Sequence, residues 1–361
     1  MNYQSERTYG CRIDDSWTYR GLKTAIMENK YLRIVILLDK GADIYQFIHK
    51  STDVDFMWRS PWGVRDPSQF LPTSGSATSM WLDVYEGGWQ TVLPGGGYPS
   101  EFNGAEMGLH AEVNMMPWDY TIVEDTPERI SLKCSVRTYR TPFFFEKTLT
   151  LTADTTVLEI EESLVNEGEE TTQCVWGQHI ALGAPFLSEE CVIDLPGGVI
   201  INHPTEFHPN NRLKPNSRGT WPWTEDKAGN PIDLSKIPPK SIRAYDQSYI
   251  SNMSDGWYAV TNQKLELGWG VVYPKEVFPY LWYWQSLGGG FGYPWYGRSY
   301  NIGLEPFTSY TNEGLTKAVE NGTALQIDPG QRIQTSLKAI VYTGAERVKR
   351  INFDGTIVRQ I

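Results

Sequence analysis

Cysteine is scarce, with four in 361 residues, and Cys11, Cys134, Cys174 and Cys191 form no CxxC pair. That excludes a disulfide framework and a zinc knuckle, and predicts buried, inert thiols in a reduced cytoplasmic setting. No run of about 18 apolar residues, the length a membrane-crossing helix needs, occurs in the chain. The opening residues MNYQSERTYGCRIDD lack the basic-then-apolar layout of a secretory leader. Positive charge is also in deficit, with 32 Lys and Arg against 43 Asp and Glu and a formal charge of −11. No local Lys/Arg run reverses this, so nucleic acid and anionic membranes are excluded as partners. Histidine is rare too, at five residues, which keeps the inventory of neutral-pH acids and bases short.

What the chain has in quantity is aromatic and turn residues: 14 Trp, 20 Tyr, 33 Gly and 22 Pro. Strand signals recur from end to end, as in YLRIVILL (31–38), ISLKCSVR (130–137), FEKTLTLT (145–152), TVLEIEESLVN (156–166) and WGVVYP (269–274). In the second, Ile130, Leu132, Cys134 and Val136 alternate with polar residues, the period of a strand with one buried face. No βαβ rhythm interrupts them. The expected fold is all-β, a large antiparallel β-sandwich with few short helices, spanning residues 1–361 as a single domain. The segment at about 203–240 is rich in Pro, Asn and charge and has no sustained period. It reads as a long loop insertion serving as lid or rim, with TWPWTE at its centre offering apolar surface to a ligand.

Among the five histidines, His49, His203 and His208 read as exposed or capping groups. His110 and His179 have more informative company. In GLHAEV (108–113), His110 and Glu112 lie two apart and would share one face of an extended strand. His179, in CVWGQHIALGAPF, sits among apolar residues and glycines, and a buried imidazole needs hydrogen-bond partners. In RSYNIGLEPFTSY (298–310), Glu305 is followed at once by Pro306, which cannot donate to a ladder. The strand is expected to end or reach an edge there, leaving Glu305 at a rim.

VLEIEESLVNEG followed by WGQHIALGAPF, the earlier GLHAEV and the late GLEP together resemble the aldose 1-epimerase (galactose mutarotase-like) superfamily, over about residues 30–345. The resemblance implies a single large β-sandwich, the supersandwich of that superfamily, and an isomerase of carbohydrate metabolism. It implies Glu305 as general base, His179 as general acid and His110 as a second hydrogen-bonding group at the ring oxygen. AYDQSYI resembles the segment that carries a sugar-binding aspartate, which makes Asp246 the corresponding candidate. QHIALGAPF and LHAEV depart from the best-known members and suggest a divergent branch.

Interconverting the anomers of an aldose moves one proton off the anomeric hydroxyl and one onto the ring oxygen. Neither a metal nor a cofactor is needed for that. A carboxylate with an ordinary pKa of about 4.3 and an imidazole of about 6.5 suit base and acid without extreme tuning. Glu112 would hold the His110 ring in one tautomer. Trp89, Trp176 and the aromatic stretch PYLWYWQSLGGGFGYPWYGRSY offer a floor for the sugar, and Asn103, Gln178 and Arg298 offer hydrogen bonds to hydroxyls. Three other readings compete: a cupin-like metal site built on His110, Glu112, His179 and Glu305; a glycoside hydrolase pairing Glu305 with Asp246 or Glu112; and a sugar-binding protein without turnover. Arg65, Arg243 and Arg298 are too scattered for a phosphate site, so the expected partner is a neutral monosaccharide or sugar derivative. The sequence is compatible with a monomer or a homodimer.

Overall fold

The computed structural model describes residues 7–69 and 73–360. Among these, one sheet of 15 strands and one of eight account for most of the chain. The central run of the larger sheet is Asp43–His49, Trp89–Val92, Gly177–Gly183, Tyr300–Phe307, Tyr280–Leu287 and Ala244–Ser251, in that spatial order. The smaller sheet contains Arg129–Arg137, Phe143–Thr152, Val157–Asn166 and Arg332–Thr343 as neighbours. Their pairings are antiparallel. Regular α-helix is confined to Ala77–Leu82 and Leu315–Glu320 among the described residues. The large antiparallel sandwich that the strand periodicity predicts is the observed architecture. No helix of the described residues is long and apolar enough to cross a membrane.

Alternation determines what each strand buries. Ile130, Leu132, Cys134 and Val136 all join the core cluster that fills the space between the sheets. They meet inward residues of the larger sheet such as Ile34, Phe47, Trp176, Ile180 and Leu304. Trp269 stands edge-on to Phe47, with ring centroids 4.8 Å apart, a favourable geometry for ring quadrupoles. All four cysteines are buried and unpaired.

The opposite face of the larger sheet carries a second aromatic cluster, including Trp58, Trp81, Tyr85, Trp284 and Trp295. Two sequence expectations fail in this region. The 203–240 segment is not simply a loop, because Arg218–Thr220, Trp223–Glu225 and Pro231–Asp233 form short strands that extend the sheet at its edge. Its TWPWTE centre gives no apolar rim either: Trp221 packs on the inter-sheet core, and Trp223 faces solvent.

Pro306 does not end its strand. Tyr300–Phe307 runs through the sheet between Gly177–Gly183 and Tyr280–Leu287, and Glu305 is buried. The missing N–H is accommodated on the Gly177–Gly183 side. There the ladder pairs Gly177 with Phe307 and resumes only at Ala181 with Gly303. The stretch between, which includes His179 and Glu305, carries no ladder pairing between these two strands.

Candidate active site

A row of side chains crosses five neighbouring strands on the aromatic face. Tyr249 is paired with Trp282, Trp282 with Glu305, and His179 with Gln90. The register of the interrupted ladder places His179 opposite Glu305, and His179 Nε2 lies 3.7 Å from Glu305 Oε1. The adjacent row, Gln247, Trp284, Gly303 and Ala181, has its two small residues beside that pair. Gly303 leaves room for the carboxyl: a Cβ there would lie 2.0 Å from Glu305 Oε1.

These rows form the floor of a cavity of about 240 Å³. One wall is Trp81, on the helix Ala77–Leu82, with Leu109 and His110 from the turn after the strand Ala105–Met107. The other is Phe207 and His208, and the glycine-rich 288–297 loop contributes Phe291, Tyr293 and Trp295 at the mouth. That loop is tied down by Asn210 donating to the Gly289 carbonyl at 2.6 Å and by Tyr293 donating to Asp83 at 2.8 Å.

His110, His179 and Glu305 therefore meet in one cavity. The His110 and His179 rings stand edge to face with centroids 4.9 Å apart. His110 adopts a left-handed backbone, φ 49°, and its Nδ1 accepts from the Gly97 N–H at 3.2 Å. A neutral His110 must then carry its proton on Nε2. His179 Nδ1 lies 3.4 Å from the Tyr85 hydroxyl, and Tyr85 stacks on Trp81. Glu305 Oε1 is buried without a hydrogen-bond partner among the described residues.

The electrostatics differ from the expectation of ordinary pKa values. Burial pushes the Glu305 carboxyl well above the carboxylate range. It lowers His179 to about 4 and, together with the neighbouring His179, holds His110 well below the usual imidazole range. Removing these groups from water disfavours each charged form. Both shifts favour the uncharged pair, a protonated carboxyl beside a neutral imidazole, over the ion pair.

The remaining predicted residues lie elsewhere. GLHAEV is a turn rather than a strand, and Glu112 does not meet His110. Its carboxylate accepts from the Tyr139 and Arg140 N–H groups at 2.7 and 3.0 Å and pairs with the Arg140 guanidinium at 2.8 Å. Asp246 projects from the face opposite Tyr245 and Gln247, where Arg212 holds it through backbone and side chain. Gln178 points between the sheets, bonded to Trp89 and Glu162. Trp89 and Trp176 are inter-sheet core. Asn103 is exposed in a hairpin turn with φ 49°, and Arg298 is exposed outside the cavity. Glu305 is thus the one carboxylate lining the cavity, and the described residues contain no cluster of three or more His, Cys, Asp and Glu arranged for a metal ion. The hydrolase pairs and the cupin-like ligand set do not form.

Sequence reasoning missed Trp81, His208, Tyr245, Gln247 and Asn312, all of which line the cavity. Tyr245 and Gln247 carried a usable signal, since they flank Asp246 and take the opposite face by alternation. His203, expected at the surface, is buried, with its Nε2 3.0 Å from Asn312 Oδ1.

Beside His179 lies a buried charge cluster. Lys40 sits 2.6 Å from Glu86 and 3.2 Å from Asp43, and Gln90, the ladder partner of His179, donates to Asp43 at 2.9 Å. Burial drives Asp43 well above its ordinary range despite Lys40.

The family described as Domain of unknown function (DUF4432) matches residues 19–341. No curated protein matches the chain. Among solved structures, a Klebsiella pneumoniae protein provisionally described as an aldose 1-epimerase superposes with a TM-score of 0.70 at 17% identity, over 93% of this chain and 84% of that one. A galactose mutarotase related enzyme from Lactobacillus acidophilus gives 0.60 at 17% identity, over 91% and 100%. A galactose mutarotase-like protein from Lactobacillus casei gives 0.54 at 13% identity, over 88% and 100%. At these identities the likeness is one of fold, and the fold is galactose mutarotase-like.

Proposed function

The chain belongs to the DUF4432 family, and from that footing we propose that it is a carbohydrate epimerase interconverting the anomers of a neutral aldose. The observation that carries this reading is the convergence of Glu305, His179 and His110, from distant parts of the sequence, on one aromatic-walled cavity. The fold shared with the epimerase-described structures supports it.

Ring opening needs one group to take the anomeric proton and another to give one to the ring oxygen, and closure reverses both transfers. The Glu305–His179 pair, holding a single proton, contains one donor and one acceptor in either arrangement. Sugar hydroxyls donating to the unpartnered Glu305 Oε1 favour the carboxylate form, which shifts the proton to His179. Glu305 then acts as base and His179 as acid, with the His110 Nε2–H donating to the ring oxygen. Exclusion of water by Trp81, Trp282 and Trp284 strengthens each of these interactions.

Anomer-exchange NMR over a panel of neutral aldoses, wild type beside Glu305→Gln, tests the proposal. Wild type should accelerate exchange of at least one sugar, and the variant should lose about 10²- to 10⁴-fold while still binding it. Wild-type exchange at the uncatalysed rate throughout the panel would refute the epimerase reading.

A further inference from the structure

Resting on the epimerase reading of this cavity, we infer that its substrate is a neutral hexose lacking one or more hydroxyls, of the deoxyhexose class. The cavity lining contains no Lys or Arg, and its one carboxylate is Glu305. A phosphate or carboxylate on the sugar would meet no cation there. The neutral polar groups are few, and several are already engaged with the protein. Asn312 Oδ1 accepts from Tyr249 at 2.9 Å and lies 3.0 Å from His203 Nε2. Tyr245 accepts from Trp295 Nε1 at 2.9 Å, and Tyr293 donates to Asp83. His208 Nδ1 accepts from the Asn210 N–H at 3.1 Å, which leaves its Nε2–H near the Phe291 carbonyl at 3.4 Å. His110 Nδ1 is occupied by Gly97. Beside the reacting groups, Gln247, whose amide nitrogen also donates to the Ser248 carbonyl at 3.4 Å, the Asn312 amide nitrogen, the Trp81 Nε1, unpartnered among the described residues, Thr78 and Tyr98 remain to meet hydroxyls.

The rest of the surface is aromatic, from Trp282 and Trp284 on the floor to Phe291 and Tyr293, both about half exposed at the mouth. A hexose carries a hydroxyl on nearly every carbon, each with a donor and acceptors to satisfy. Against these walls a hydroxyl loses its water without gaining a partner, whereas a methyl or methylene group is buried favourably. Asp246 and Gln178, which could have offered further partners, face away from the cavity.

The test compares D-galactose and D-glucose, each with its 2-deoxy and 6-deoxy analogues. Anomer exchange is measured on the wild type, and binding on Glu305→Gln, which keeps the cavity walls. At least one deoxy analogue should exceed its parent by about ten- to a hundredfold, in Kd for the variant and in kcat/KM for the wild type. Parent hexoses that match or exceed every analogue in both measurements overturn the inference. Exchange without a deoxy preference overturns it while leaving the epimerase reading standing. A deoxy preference in binding without catalysed exchange supports it and refutes the epimerase reading instead.

Discussion

His179 and Glu305 oppose each other across two central strands at a point where those strands share no ladder pairing, with 3.7 Å between Nε2 and Oε1. Because burial raises the carboxyl and lowers the imidazole, the uncharged pair is favoured over the ion pair.

A pH–rate profile should show this. If the one-proton form is the active one, kcat/KM falls as pH drops through about 4, where His179 gains a second proton for the pair. It falls again as pH rises through the raised Glu305 pKa. The two limbs belong to the pair rather than to either residue. Polarimetry corrected for spontaneous mutarotation measures both. An acid limb centred near the ordinary imidazole value of about 6.5 would contradict a buried, neutral His179.

The same lowered imidazole affects stability. Below pH 6.5 the unfolded chain protonates its histidine, whereas folded His179 resists until about 4. Stability present above 6.5 is therefore lost as pH falls toward 4, on the order of 3 kcal/mol for this group. Glu305 acts oppositely: its raised folded pKa contributes stability at low pH that is lost as pH rises. Urea midpoints at several pH values between 7 and 4 should therefore fall less for His179→Gln than for wild type. Equal losses would assign the acid sensitivity to other groups.

Gly303→Ala is a geometric test of the pair. The new methyl would stand 2.0 Å from Glu305 Oε1 and 2.9 Å from its Cδ, so the carboxyl must leave its present position. A displacement of this kind should lower kcat about a hundredfold, with a stability cost of about 1–3 kcal/mol from overpacking. Anomer exchange and thermal melting read the two effects separately. Unchanged kcat would mean that the position of the carboxyl is immaterial to the reaction.

Lys40→Met should be far more damaging to the fold than to any surface. Lys40, Asp43 and Glu86 are all fully buried, and removing the cation leaves two carboxyls side by side without it. A loss of about 3–5 kcal/mol is expected in urea unfolding. Combining it with Glu86→Gln should recover part of that loss. A single variant as stable as wild type would show that the cluster is already neutral without its lysine.

The architecture was legible because alternation is local: Ile130 to Val136 announce a buried face without knowledge of their neighbours. The three groups that converge were legible only through a family resemblance, since nothing local says that residues 110, 179 and 305 meet. Several of the errors came from not applying strand parity to the site itself. If His179 faces a cavity, Gln178 and Trp176 face the other way, and if Tyr245 and Gln247 face it, Asp246 does not. The His110–Glu112 pairing failed for a different reason. Gly97 and Arg140, far away in sequence, fix those two side chains in divergent directions. The altered pKa directions were equally invisible, because desolvation depends on walls assembled from many segments.

Pro306, which reads in sequence as a stop, supplies mechanical slack instead. A fully bonded ladder holds neighbouring strands near 4.8 Å, and would fix the spacing beneath His179 and Glu305 as rigidly as anywhere in the sheet. With the ladder open at that point, the backbone under the two groups is held from the outer sides, by the pairing of His179 with Gln90 and of Glu305 with Trp282. The pairs at Gly177 with Phe307 and Ala181 with Gly303 clamp the opening at both ends.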